Sequence, residues 1–191
     1  MSANAHSHKM TAAQYLETEK AAKYRSEFIQ GEVYAMAGAS DAHVTLNGNL
    51  SALLHSKLRG SDCKSYSSDM KLRIGEDETY FYPDLMVSCD AEDRKRKYSK
   101  QTPVLLVEVL SDTTEAYDRG GKFAWYRQVD SLQEYVLIDQ NQFRVELFRR
   151  NKHDRWELFT FEGEQAELEL LSVDLRCTLA ELYEDVDFDL L

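Results

Sequence analysis

An apolar run near the middle of the chain predicts a buried central strand. It extends from Val104 to Leu110 and contains one charged residue, Glu108. A short, almost continuous run of valine and leucine is typical of a strand that is covered on both faces. Further apolar runs predict strands over residues 63–74, 81–88 and 134–139.

Capping residues followed by apolar positions at helical spacing predict the helices. A capping box at Thr11 opens a short helix that reaches about Lys20. Ser40 opens a longer helix that ends at Gly60. A third helix, over residues 115–129, connects the third and fourth predicted strands, and a short last helix is predicted over residues 179–183.

Two tight hairpins flank this core, one over residues 28–36 with Gly31 at its turn and one over residues 142–162. A parallel strand pair needs a helical crossover, and the helix between the third and fourth strands can provide it. The pattern therefore predicts an α/β fold, in which a central mixed sheet is flanked by helices and extended by N-terminal and C-terminal hairpins.

Two acidic residues are embedded in neighbouring apolar strands, where an ionised carboxylate is costly without a cation or strong hydrogen bonds. Glu108 lies in the central strand, and Asp84 follows Pro83 in the strand before it. If both acids face the same way, their carboxylates converge and repel each other. A magnesium or manganese ion would relieve that repulsion, with the backbone carbonyl of Val109 as a further ligand.

Lys122, near the start of the helix after the central strand, adds a cation to the two acids. In metal-dependent phosphodiester hydrolysis, the metal lowers the pKa of a bound water and neutralises phosphate charge. A lysine can orient that water or stabilise the developing charge. Glu32, directly after the glycine of the first hairpin, is a candidate third acid for the outer shell of the metal or for the water.

Each of these residues also has an ordinary structural explanation. Asp84 could be a turn acid at a strand end, Glu108 a member of a buried ion pair, and Lys122 a solvated side chain. The combination of the three carries the hypothesis, and no single residue does. His43 and Asp69 could approach the same site, but surface or structural roles are more usual for residues in their positions, so they are left out of the predicted site.

The net charge of −11 is unevenly distributed, because acidic residues are concentrated at the C-terminal end. Residues 162–191 contain ten acids and one base and carry −9, so −2 remains for the rest of the chain. An acidic protein is a poor partner for nucleic acid, but the body of this one is close to neutral. Between the acid-bearing strands lies a basic run that we expect to contact a phosphate backbone, formed by Arg94, Lys95, Arg96 and Lys97.

Cysteine usage and the N-terminal residues bear on the compartment. The three cysteines are odd in number and form no C-x-x-C pair, which predicts reduced thiols in packing positions and no zinc site. The N-terminal residues are polar and lack the apolar stretch of a secretory signal. No apolar run approaches the roughly 20 residues needed to cross a bilayer. We therefore expect a cytoplasmic protein with a single domain over residues 1–191.

The acid and lysine pattern resembles the PD-(D/E)XK nuclease superfamily. Pro83-Asp84 and Glu108-Val109-Leu110 are similar to its two acidic motifs, but Leu110 stands where the lysine usually lies. Lys122 resembles a known variation, in which a lysine on the following helix takes over that role.

A closer resemblance is to a widespread bacterial family described as "putative restriction endonucleases" of unknown function. It covers about residues 28–156 and is carried by four segments, Gly31–Gly38, Tyr82–Asp84, Val107–Ser111 and Asp118–Phe123. The resemblance implies the restriction-endonuclease-like fold and a magnesium site. It also implies that Asp84 and Glu108 are metal ligands, that Lys122 is the catalytic lysine, and that Glu32 is an additional active-site acid.

The leading hypothesis from the sequence is a Mg²⁺- or Mn²⁺-dependent endonuclease that hydrolyses DNA, and we expect it to act as a homodimer. Two alternatives remain open. One is a nucleic-acid-binding or regulatory module that keeps the fold and turns over slowly or not at all. The other is a protein whose acidic C-terminal segment binds a basic partner.

Overall fold

Two main β-sheets frame the fold in this computed structural model, which describes residues 9–36, 38–76 and 79–188. In chain order, the strands are β1 (Ser26–Ile29), β2 (Glu32–Ala35), β3 (Lys64–Ser67), β4 (Lys71–Ile74), β5 (Thr79–Phe81), β6 (Leu85–Ser88), β7 (Ser99–Lys100), β8 (Pro103–Leu110), β9 (Glu134–Asp139), β10 (Arg144–Arg150), β11 (Trp156–Glu162), β12 (Glu167–Leu170) and β13 (Leu175–Thr178).

The helices are mostly short, and one of them is interrupted by a wider turn. They are α1 (Ala12–Ala21), α2 (Asp41–Lys57), α3 (Ala91–Lys95), α4 (Glu115–Tyr117), a π-helical segment (Asp118–Lys122), α5 (Phe123–Tyr126), a 3₁₀ turn (Leu171–Val173) and α6 (Leu179–Leu182). The predicted caps are present: Thr11 forms a capping box with Gln14, and the Ser40 hydroxyl accepts from the backbone N–H of His43. Gly60 has a positive φ of 80°, as a residue that ends a helix often does.

The strand order is β2-β1-β5-β4-β7 in the first sheet and β11-β10-β9-β8-β6-β3 in the second, while β12 and β13 form a separate pair. The central strand β8 runs antiparallel to β6 and parallel to β9. The second sheet is therefore mixed, with helical segments in the crossover between β8 and β9. The predicted mixed sheet flanked by helices is confirmed.

Two of the predicted strands are wrong in their extent, because each divides between the two sheets. Residues 63–74 form β3 in the second sheet and β4 in the first, and residues 81–88 cover the end of β5 and all of β6. Pro83 has no N–H to donate, so a continuous ladder through it is unfavourable. The two connecting segments lie side by side, since the Ser68 N–H donates to the Asp84 carbonyl at 3.0 Å.

The core has two main layers, one on each face of β8. On one face, alternate residues Leu105, Val107 and Val109 pack with α2 and the C-terminal elements. On the other face, Leu106 and Leu110 pack with an aromatic cluster and with strands of the first sheet. Because successive side chains of a strand point to opposite faces, Glu108 belongs to the second layer, as the sequence predicts.

The acidic C-terminal segment is an integral part of the fold. Its described part forms β12, the 3₁₀ turn, β13 and α6, and its apolar side chains lie in the first core layer: Leu168, Leu170, Val173, Leu175, Leu179 and Leu182. Several acids point outward into ion pairs or caps; Asp174, for example, pairs with Lys57 at 2.5 Å. Asp189, one of the ten acids counted in the segment, lies outside the described residues.

The expectation of three reduced thiols is wrong for two of them. Cys63 and Cys89 form a disulfide, and Cys177 is free and buried. The reason is strand register: β3 and β6 pair antiparallel with Lys64 opposite Ser88, which places the preceding and following cysteines next to each other. Burial raises the pKa of the Cys177 thiol to about 11, which makes it a poor nucleophile.

None of the helices in the described part of the chain combines the length and the apolar character that a membrane span requires.

Candidate active site

A cleft of about 790 Å³ opens where the chain passes from β5 to β6. Four of the predicted site residues line it together, namely Asp84, Glu108, Val109 and Lys122. Asp84 comes from the connection between the two sheets, Glu108 from the central strand, and Lys122 from the π-helical segment. The site therefore depends on three elements that are separate in sequence.

Asp84 lies just before β6 begins, on the side of β8 that extends past the β6 pairing, while the other side of β8 still pairs with β9. The backbone N–H of Val109 donates to Asp84 Oδ2 at 2.8 Å, so the carboxylate takes the place that a strand carbonyl would have. In a strand, the N–H and C=O of one residue point to the same side. The Val109 carbonyl is thus also on the Asp84 side, and Val109 lines the cleft.

His43, in the first turn of α2, holds the other oxygen of Asp84. Its Nε2 lies 3.0 Å from Asp84 Oδ1, and both side chains are largely buried. Sequence reasoning set this histidine aside as a surface or cap residue. The Ser40 cap orients the first turn of α2 so that His43 points toward the cleft, and a single sequence contains no signal for that direction.

Glu108 is 3% exposed and lies at the wall of the cleft. The Tyr126 hydroxyl donates to Glu108 Oε1 at 2.6 Å, and Lys122 Nζ is 3.1 Å from the same oxygen. Burial raises the pKa of Glu108 well above its ordinary value, against the opposing charge of Lys122, while Asp84 and Asp118 raise it further. The Glu108 carboxylate is therefore held in place, but the positive charge of Lys122 does not fully offset the cost of burying its negative charge.

Lys122 reaches the cleft from the π-helical segment at Gly120-Gly121. Wider turns of this kind occur mostly as single insertions in helices, often at functional sites. The Lys122 ammonium contacts three carboxylates: Glu108 at 3.1 Å, Asp118 at 3.2 Å and Glu27 at 3.5 Å. Burial alone would lower the pKa of Lys122, but these charges together raise it above its ordinary value.

Two acids that sequence reasoning missed complete the cluster. Glu27, in the middle of β1, accepts from the Tyr82 N–H at 3.2 Å and contacts Lys122. Asp118 begins the π-helical segment and is 2% exposed. Glu27 stands between a serine and two apolar residues, a weaker pattern than that of Glu108, which interrupts a long apolar run.

Glu32, the predicted third acid, does not lie in this group. It is exposed on β2 and accepts from the Tyr34 hydroxyl at 2.7 Å. The strand register explains the difference: Glu27 lies opposite Tyr34 and Glu32 lies opposite Ile29, so the two acids share a face, but Glu32 is two residues, or roughly 7 Å, nearer the turn. The structure brings Glu27 there, and Glu32 only supports a tyrosine that lines it.

The basic run is also displaced from its expected position. It follows β6 at the Ser88 end, whereas Asp84 precedes β6 at the other end, about 13 Å away along a strand. Its charges are engaged locally: Arg94 with Asp62, Lys95 with Glu92, Arg96 with Asp93, and Lys97 over the ring of Tyr98. The expectation that this run faces the cleft is wrong, because α3 turns it toward the far end of the sheet.

The C-terminal acids, in contrast, leave the cleft open. None of the described residues of the segment 162–188 lines it. The segment packs against the opposite face of the second sheet, with α2.

The chemistry of the cleft fits a divalent cation. Four acids, Glu27, Asp84, Glu108 and Asp118, surround one buried lysine. Asp118 Oδ1 is buried and accepts no hydrogen bond within the described residues, although it makes an ion contact with Lys122. Excess carboxylate oxygens are the donors that Mg²⁺ and Mn²⁺ prefer.

The same carboxylates do not form a ready-made cage. Across residues 9–36, 38–76 and 79–188, no three His, Cys, Asp or Glu side chains are grouped so as to hold a metal ion. The Lys122 ammonium lies among the acids and separates them.

Comparison with known proteins places this arrangement in a family. The sequence profile of Uma2, described as "Putative restriction endonuclease", matches residues 12–180. The chain belongs to the Uma2 family. The resemblance to that kind of nuclease is confirmed, and the Uma2 match extends beyond residues 28–156 to include α1 and the C-terminal strands.

Two relatives come from Synechocystis sp. (strain ATCC 27184 / PCC 6803 / Kazusa), and both are described as uncharacterized. The protein slr1290 is 36% identical over 180 residues, covering 94% of each chain. The protein sll1609 is 44% identical over 164 residues, covering 84% of this chain and 92% of its own.

A solved structure shares the fold. It is a putative nuclease belonging to DUF820 from Anabaena variabilis ATCC 29413, which superposes with a TM-score of 0.74. The match covers 91% of this chain and 97% of the other at 17% sequence identity. The restriction-endonuclease-like fold predicted from the sequence is thereby confirmed.

Proposed function

We propose that this protein is a nuclease that uses Mg²⁺ or Mn²⁺ to hydrolyse phosphodiester bonds in DNA. One observation carries the proposal: Asp84 and Glu108 converge on one cleft together with Lys122. Among the described residues that line this cleft, Lys122 is the one lysine, and there is no arginine. Membership of the Uma2 family and the nuclease-like fold support the same reaction class.

Asp84 and Glu108 would hold the metal, with the Val109 carbonyl as a third ligand. Both Asp84 oxygens already accept one hydrogen bond, but an ionised carboxylate has about four lone-pair sites, so capacity for a cation remains. When bound, the metal would supply a water of lowered pKa and neutralise charge on the phosphate.

The remaining roles belong to side chains of the chain itself. Lys122 would donate to a phosphoryl oxygen and stabilise the charge that develops on it. In hydrolysis, the water oxygen forms a bond to phosphorus, the bond to the leaving sugar oxygen breaks, and a proton ends on that oxygen. Glu27 and Asp118 hold Lys122 in position. His43 fixes the orientation of Asp84.

A cleavage assay tests the proposal. Plasmid, linear duplex and single-stranded DNA are incubated with the protein in Mg²⁺, in Mn²⁺ or in chelator. We expect metal-dependent cleavage that falls at least ~100-fold in Glu108→Gln and Asp84→Asn, the scale of losing an essential charge. Glu164→Gln, at an exposed position remote from the cleft, is the matched control. Cleavage that persists unchanged in chelator or in Glu108→Gln would refute the proposal.

A second candidate is a binding module that keeps the fold and turns over slowly. The clamping of Lys122 by three carboxylates favours it, because a lysine engaged in this way is less available to a phosphate. DNA binding without cleavage in either metal would select this alternative. Action as a homodimer and a cytoplasmic location also stay predictions, to be tested by sedimentation and by fractionation of cells.

A further inference from the structure

Two tyrosines stand at the mouth of the cleft with much of each ring exposed to solvent. Tyr34, on β2, is 48% exposed and Tyr117, at the end of α4, is 40% exposed, and both line the cleft. Val44, on the first turns of α2, lines it too and is 61% exposed. Exposed aromatic and apolar groups at one mouth indicate a surface that a ligand covers.

Both rings are held in position by neighbouring residues. The Tyr117 ring packs directly over Gly121, where an added Cβ would lie only 2.4 Å from Tyr117 Cε2. The Tyr34 hydroxyl donates to Glu32 Oε2 at 2.7 Å. Tyr34 lies opposite Glu27 across the β1–β2 pair, and both tyrosines line the same cleft as Glu27.

The charges of the cleft argue against an intact duplex. Duplex binding depends on lysine and arginine contacts to phosphates. Among the described lining residues, Lys122 is the one lysine, there is no arginine, and four carboxylates surround it. The other polar groups are neutral hydroxyls and amides, including Ser40, Asn47 and Thr113, which can contact a backbone without adding charge.

We propose that the cleft takes an unpaired strand of nucleic acid, with bases stacked on Tyr34 and Tyr117. Aromatic rings bind unpaired bases of any sequence by stacking, while a paired duplex keeps its base faces hidden. A cleft of about 790 Å³ lies in the size range of sites that enclose small ligands, so it holds a short stretch of strand. Stacking of unpaired bases on tyrosine rings is the same for DNA and RNA. The inference of an unpaired strand as substrate rests on the proposed function.

Binding of short labelled oligonucleotides tests this inference in the full chain. Fluorescence anisotropy would compare a fluorescein-labelled oligothymidylate, its ribose counterpart and the same DNA annealed to its complement, in chelator and in Mn²⁺. We expect the single strands to bind more tightly than the duplex. Tyr117→Ala and Tyr34→Ala should each weaken single-strand binding roughly 5- to 150-fold, the range for one lost base stack.

Conservative variants separate stacking from other roles of the rings. Tyr117→Phe and Tyr34→Phe keep the aromatic face and should bind like the parent, even though the second loses its bond to Glu32. Salt dependence is a second readout. With few phosphate contacts, the slope of log affinity against log salt concentration should be no steeper than about −1.4, the value for two contacts on a single strand.

The outcomes are distinct for the two proposals. Cleavage of duplex with no single-strand preference, or alanine variants that bind like the parent, would overturn the unpaired-strand inference and leave the nuclease proposal standing. Tyrosine-dependent binding of single strands without cleavage in either metal would support the inference and refute the hydrolysis. A dimer that dissociates in Tyr117→Ala during sedimentation would show that a second copy covers the tyrosines, and would also overturn the inference.

Discussion

Removal of the Lys122 charge should destabilise the protein strongly, because this lysine compensates a cluster of buried acids. In Lys122→Met, Glu108, Asp118 and Glu27 lose a cation that now lies 3.1 to 3.5 Å away. Breaking a buried ion pair by deleting one partner costs about 3–5 kcal/mol. For a protein of this size, about 2–4 °C of melting temperature corresponds to each kcal/mol, so a fall of roughly 6–20 °C is expected.

The sign of the pH dependence follows from Glu108. Burial raises the pKa of this carboxyl well above its ordinary value, and loss of Lys122 raises it further. A raised pKa in the folded state means that stability is present at low pH and is lost as pH rises through that value. The deficit of Lys122→Met should therefore be large at neutral pH and smaller in mild acid, where the acids are neutral.

Thermal melts followed by circular dichroism measure this effect in chelator. Lys57→Met is the matched control, since Lys57 forms one ion pair with the exposed Asp174 and should leave the melting temperature close to the parent's. The double variant Lys122→Met/Glu108→Gln should recover part of the loss, because the two groups interact directly. A melting temperature of Lys122→Met within about 1 °C of the parent at neutral pH, given the same conversion, would refute the reasoning.

Three further predictions concern other groups. Glu108→Gln should abolish Mn²⁺ binding in calorimetry and leave the melting temperature in chelator equal or higher, since other acids still pair with Lys122; a sharp fall would mark Glu108 as purely structural. Burial would raise the pKa of Asp93, but hydrogen bonds from Thr102 and Gln101 lower it. Ionised Asp93 therefore stabilises the fold at pH values above the ordinary aspartate pKa, and this contribution is lost in acid. Asp93→Asn should thus lower the melting temperature more at neutral pH than in acid below the lowered pKa of Asp93, and an equal deficit at both would contradict this. Neutralising residues 94–97 together should leave the salt slope of DNA binding unchanged, as these charges are engaged away from the cleft; a slope flattened by about three units would restore the predicted phosphate contacts.

Much of the fold could be predicted because its signals are local. The caps of α1 and α2, the glycine turn between β1 and β2, and the apolar run of β8 each depend on neighbours within a few residues. The division of residues 63–74 and 81–88 between two sheets could not be predicted, because alternation of apolar and polar residues is the same whichever sheet a strand joins. In the sequence, Pro83 indicates one of these two divisions, the break between β5 and β6 within residues 81–88.

The candidate site was predictable where acids interrupt apolar strands. Glu108 and Asp84 stand out because burial makes a carboxylate costly, and that cost is visible in the sequence. Glu27, His43 and Asp118 were missed since their approach depends on strand register and on helix direction. The disulfide between Cys63 and Cys89 was missed for the same reason: pairing of β3 with β6 brings them together.

The position of Lys122 on a helix, instead of two residues after Glu108, has a consequence for the order of folding. Leu110 is left free to join the core, so β8 can enter the sheet as an almost wholly apolar strand. During synthesis, however, Glu108 emerges before its counter-charge, and the compensation arrives only when the crossover to β9 closes. An incomplete chain or a partly folded intermediate would therefore contain the central strand without a balanced site. Charge compensation, and with it any activity of the cleft, belongs to the completed fold alone.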